Sequence, residues 1–136
     1  MAHDSAGRKA AAFWSAPIDS LSGDPIDRVY IARFTMGSAA LEREVLELFA
    51  HHVPGYLEQL QAAATRKAWR DAAHTIKGSA AAVGALRLAR LAEMAERLDP
   101  EAADVQPEAC REEAIAALTT AADEACRYIA RLFAEA

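Results

Sequence analysis

The chain has 136 residues, enough for one compact domain and too few for two ordinary ones. Apolar residues make up 53 % of it and roughly a quarter is alanine, with Val and Ile sparse; this excludes a disordered chain and favours helix over strand. The net charge is −5, and the one basic stretch is too short and too poor in aromatics to suggest nucleic acid.

The longest uncharged apolar run, Gly78 to Leu86, falls far short of a membrane span. At the N-terminus, Arg8 and Lys9 precede only Ala10 to Trp14, which is no signal-peptide core. Cys110 and Cys126 make no disulfide framework; on one helix they would stand about 24 Å apart. The expectation is a reduced, cytoplasmic, all-α domain.

In chain order, residues 1–23 read as a tail punctuated by Ser, Gly and Pro, and residues 24–136 as the folded body. Within the tail, Ala10 to Trp14 form a short apolar cluster suited to docking Phe13 and Trp14 on the body. Asp24-Pro25 predicts a helix start, cap side chain before first-turn proline, and a short helix to Gly37 carrying Ile26, Val29, Tyr30 and Phe34. Ser38 then caps a longer helix to about Ala64. Its apolar stripe, Leu41, Val45, Leu48, Phe49, Val53, Tyr56, Leu57 and Leu60, keeps phase across Pro54-Gly55, which predicts one kinked helix rather than two. Thr65 caps a third helix ending at Gly84. A fourth spans 85–98, stopping before Asp99-Pro100; 101–106 read as a polar linker, and Pro107 opens a last helix to about Phe133. The sum is an antiparallel up-down-up-down four-helix bundle with a short additional N-terminal helix, leaving no large apolar face and so a monomer.

The third helix carries the chemistry. On a wheel with Trp69 at the origin and 100° per residue, Ala72, Ala73, Ile76, Ala80 and Val83 fall within about 60° of it as the core stripe. His74 falls near 140°, Lys77 near 80°, Gly78 near 180°, Ala81 near 120°, and Arg70 and Lys67 near 100° and 160°. His74 thus points to solvent among basic neighbours: residues 66–90 hold Arg66, Lys67, Arg70, Lys77, Arg87 and Arg90 against Asp71 alone, a face suited to an acidic partner. A mid-helix glycine costs about 0.5–1 kcal/mol relative to alanine. At Gly78, one turn beyond the histidine, the economical reason is close approach by another molecule. An imidazole clear of the surface, with a cation three residues on, suits a nucleophile that holds a phosphoryl group.

The segment Ala73-His74-Thr75-Ile76-Lys77-Gly78-Ser79-Ala80, with Val83-Gly84-Ala85 behind it, resembles the signature of histidine-containing phosphotransfer (HPt) domains. Phe34 through Asp71 resembles the alphaproteobacterial HPt type, and the likeness spans roughly residues 24–133. It implies a bundle that takes a phosphoryl group from a receiver-domain aspartate and passes it to another receiver in a multi-step phosphorelay. The partners would be response-regulator receivers, including that of a hybrid histidine kinase, with Mg²⁺ on the receiver and no cofactor here. His74 would be the phosphoacceptor, Lys77 the charge-compensating neighbour and Gly78 the clearance residue, with Lys67, Arg70, Asp71 and Ala81 on the docking surface. No P-loop or kinase-type glycine box accompanies them. The alternative is a non-catalytic helical adaptor for a receiver or histidine kinase, which would give no acid-labile phosphate adduct. A dimeric phosphotransferase with a degenerate ATPase-like domain would not fit in 136 residues.

His51-His52 invites a metal reading, but adjacent helical residues diverge by about 100° and no spaced third ligand accompanies them. Trp69 reads as core filling, and both cysteines as small apolar helix residues.

Overall fold

The computed structural model describes residues 23–98 and 107–134. The remainder of the tail, Asp99-Pro100 and the linker lie outside the described residues. Five helices run in order: α1 (Arg28–Thr35), α2 (Ala39–Ala62), α3 (Arg66–Ala82), α4 (Leu86–Arg97) and α5 (Pro107–Ala134), with no strand among the described residues. Helices α2 to α5 pack in sequence, α5 closing back on α2, so the architecture is a four-helix bundle with α1 laid beside α2.

Each start has a local cause. Ser38 Oγ accepts from the Leu41 amide at 3.2 Å and Thr65 Oγ1 from the Ala68 amide at 3.0 Å, as their positions predict. Helix α2 runs unbroken through Pro54, which is exposed.

The predicted start of α1 is wrong by one turn. Asp24-Pro25 sits in a bend, and the cap is Asp27, whose carboxylate accepts from the Tyr30 amide at 3.1 Å. Tertiary contact decides this: Ile26 is fully buried, and the Asp27 amide donates to the Gly84 carbonyl at 2.8 Å. The chain is thereby stapled to the α3–α4 turn before α1 begins.

The core collects Leu46, Phe49, Val53, Leu57 and Leu60 from α2, Trp69, Ile76 and Ala80 from α3, Leu88 and Leu91 from α4, and Leu118 and Ile129 from α5. The abundant alanines let the helices approach closely; Ala72, Ala73, Ala92, Ala95, Ala114, Ala121, Ala122 and Ala125 are all buried. Trp69 does more than fill space. Its indole Nε1 donates to the Ala95 carbonyl of α4 at 2.8 Å, and the Arg111 guanidinium of α5 lies 5.4 Å from its ring centroid while donating to the Gln61 carbonyl.

Two members of the predicted α2 stripe do not face the core: Leu41 and Leu48 are exposed, as are Val29 and Phe34 of α1 and Met36 after it. The apolar stripe of α2 was drawn too broadly at its start, where Leu46, outside that stripe, is the residue fully buried. Some apolar surface is therefore left over, contrary to the premise used for a monomer.

The two glycines of the motif region have opposite reasons. Gly84 has φ +76°, and a Cβ there would meet the Asp27 carbonyl oxygen at 2.7 Å. Gly78 is helical, with nothing within 4 Å of the corresponding position. Gly84→Ala is expected to cost more than about 1–2 kcal/mol, the left-handed penalty alone, because the clash adds to it. Gly78→Ala is expected to gain roughly 0.5–1 kcal/mol. Thermal or urea unfolding of the two variants checks both signs.

Candidate functional site

Helix α3 fixes the site by burying one face. Trp69, Ala73, Ile76 and Ala80 are buried to completion, and the opposite side carries His74 midway along the helix, its side chain 66 % exposed. Gly78 is exposed one turn on, whereas Ala81 is half-buried, so the bare strip expected from the wheel is narrower than drawn.

The structure adds a residue that sequence reasoning missed. Glu96, in the last turn of α4, brings Oε1 to 2.9 Å from His74 Nδ1 and Oε2 to 2.7 Å from Lys77 Nζ. The hydrogen bond from Lys77 holds the Glu96 carboxyl below the ordinary carboxylate range against partial burial, and His74 adds to the effect. An ionised carboxylate only accepts, so the His74 proton belongs on Nδ1 and the lone pair on Nε2. Nε2 has no hydrogen-bond partner among the described residues.

A signal for Glu96 was present. The α3–α4 connection turns at Gly84, and a hairpin folded there sets His74, ten residues before, against positions near twelve residues after. Charge counting along the chain missed it because it set residues 66–90 apart from the acidic stretch 91–136 that contains Glu96, although the two fold against each other.

The same linear division exaggerated the basic face. Lys67 pairs with Asp71 at 2.7 Å, Lys77 with Glu96, and Arg90 with Glu93 at 3.4 Å. The Lys67 hydrogen bond holds the Asp71 carboxyl below its ordinary range, with the Arg70 and His74 charges acting the same way. Lys67, Arg70 and Asp71 are exposed on α3 N-terminal to His74. The surface is thus a set of ion pairs around an exposed imidazole rather than an unopposed cationic patch.

His51 and His52 are exposed with rings 5.1 Å apart, His52 stacks on Tyr56, and no cluster of metal-ligating side chains occurs among the described residues. Cys110 and Cys126 are half-buried free thiols of α5. No helix of the described residues is long and apolar enough to cross a membrane.

The bundle thus presents an exposed mid-helix histidine with a lysine and a glycine on the following turn. The Hpt domain family matches residues 44–128, and the chain belongs to that family. No curated protein and no solved structure matches the chain. Membership gives it a histidine phosphotransfer role in two-component phosphorelays, and Hpt domains work with response-regulator receiver domains.

The depressed Glu96 and Asp71 values have a consequence for pH. A folded-state value below the unfolded one contributes stability above the ordinary carboxylate range, and that contribution disappears as pH falls through the folded value. Acidification below about pH 4 is therefore expected to lower the melting temperature more in the wild type than in Glu96→Gln. Parallel melts between neutral and acid pH check it; equal acid losses would mean that the pair adds nothing to stability.

Proposed function

We propose that His74 accepts a phosphoryl group on Nε2 from a receiver aspartyl phosphate and passes it to a second receiver in a multi-step phosphorelay. The observation that carries this reading is the exposed ring whose Nδ1 is committed to Glu96, which leaves Nε2 as the nucleophile. Lys77 stands within the same charge cluster to meet phosphoryl oxygens, and Gly78 gives a receiver room to approach. Lys67, Arg70, Asp71 and Ala81 belong to the docking surface. Mg²⁺ is carried by the receiver, whose acidic pocket supplies the donor and acceptor carboxylates.

The finer readings are of the same kind. A hybrid histidine kinase supplies one of the receivers, the chain works as a cytoplasmic monomer, and the likeness of Phe34 through Asp71 to the alphaproteobacterial type supports that subtype. Sedimentation tests the monomer against a dimer sealed by the exposed Val29, Phe34, Met36, Leu41 and Leu48.

Two variants separate chemistry from docking. His74→Gln keeps a polar side chain on the exposed face, so stability moves by less than about 0.5 kcal/mol while labelling by phosphorylated receivers vanishes. A bulky residue at Gly78 leaves phosphoramidate labelling largely intact but slows receiver-dependent labelling by about tenfold or more, because misplacement of the aspartyl phosphate is costly. Retained label in the His74 variant would assign the nucleophile elsewhere. Equal loss of both reactions in the Gly78 variant would refute clearance.

A further inference from the structure

Lys77 does not stand free beside His74. Its ammonium is 2.7 Å from one oxygen of Glu96, whose other oxygen is 2.9 Å from the His74 ring. One carboxylate is therefore shared between the nucleophile and the cation nearest to it. An ammonium and a carboxylate in contact present a third charge with a dipole rather than a net charge, and their fields largely cancel a few ångströms away. Both side chains are substantially covered, Lys77 to two thirds and Glu96 to about four fifths, so solvent does not screen the pair completely.

Resting on the reading of His74 as phosphoacceptor, we propose that Glu96 is a counter-charge to Lys77 that keeps phosphohistidine from being over-stabilised, so that His74 gives up a phosphoryl group as readily as it takes one. Glu96 acts through its neighbours and is a positioning residue. A lysine alone would hold the incoming dianion; a carboxylate alone would repel it. The pair leaves the site near neutral, which is the condition for a carrier that must discharge onto a second aspartate.

The step balances without a further reactant. The Nε2 lone pair forms the N–P bond while the bond from phosphorus to the donor atom breaks, and the donor leaves with that electron pair. The Nδ1 proton stays on the ring, so the ring gains one positive charge while the phosphoryl group brings two negative ones, a net negative charge that Lys77 attracts and Glu96 opposes. Discharge is the reverse, with the N–P electrons returning to Nε2.

The charges give an ordering. Glu96→Gln leaves the local sum one unit more positive, Lys77→Ala one unit more negative, and the double variant restores neutrality. The Gln amide oxygen still accepts from Nδ1, so the tautomer is kept and only the charge changes. The readout is the ratio of forward labelling by phosphoramidate to reverse transfer onto added ammonium, followed by ³¹P NMR on the full chain. Phosphoramidate gives up its phosphoryl group with loss of ammonia, and the ammonia in equilibrium with added ammonium reverses it, so the ratio reports how tightly the site holds the group.

Relative to the wild type, Glu96→Gln is expected to raise the ratio and Lys77→Ala to lower it, each by about three- to tenfold, with the double variant close to the wild type. Ring ¹⁵N shifts of His74 with the proton still on Nδ1 in Glu96→Gln confirm that charge alone was altered. An unchanged ratio across the three variants, or a lower one in Glu96→Gln, overturns the counter-charge. If the wild type takes no label that His74→Gln abolishes, the phosphoacceptor reading itself fails, a result distinct from equal labelling of all four proteins.

Discussion

The hydrogen bond from the buried Trp69 indole to the Ala95 carbonyl sets the register on which the site depends. An indole N–H sealed in a core must find an acceptor or forfeit its hydration, so its partner fixes how α3 slides against α4. Ala95 is the residue before Glu96. With that carbonyl held against Trp69, the next side chain emerges beside His74 and Lys77, one to two turns farther along α3. Arg111 covers the indole from the α5 side and ties the same corner to the end of α2. Core packing and site geometry are thus two faces of one constraint.

A second staple works at the far end of α3. The turn at Gly84 must pass close under Asp27, and only a residue without Cβ, in a left-handed conformation, lets the Asp27 amide reach the Gly84 carbonyl. That contact anchors α1, with Arg28 then bonding Glu42 of α2 at 2.8 Å. Gly84 serves the fold. Gly78 has no such duty within the described residues, and its place on the exposed side of the helix leaves the approach of a partner as its economical explanation.

Ion pairs change what charge along the chain means. A run of six cations against one acid between residues 66 and 90 suggests a basic face, yet Lys67, Lys77 and Arg90 pair with carboxylates, two of which α4 supplies from beyond the run. Surface pairs of this kind add little stability. Their consequence is electrostatic: the field that a partner meets around His74 is local and dipolar rather than a broad positive patch.

The sequence by itself determined the helical class, the caps at Ser38 and Thr65, the continuity of α2 through Pro54 and the outward aim of His74. These follow from local propensity, from side chains bonding amides three residues away, and from a period of 3.6 that divides a helix into two faces. The start of α1, the outward turn of Leu41 and Leu48, the opposite duties of Gly78 and Gly84, and the presence of Glu96 at the histidine were decided by tertiary structure. Each turns on which residues far apart in the chain meet or fail to meet: Asp27 meets Gly84 and His74 meets a carboxylate 22 positions on, whereas Leu41, Leu48 and Gly78 face outward. Periodicity tells which way a side chain points but not what it meets. That depends on the slide of one helix along another, which here a single indole hydrogen bond in the core establishes.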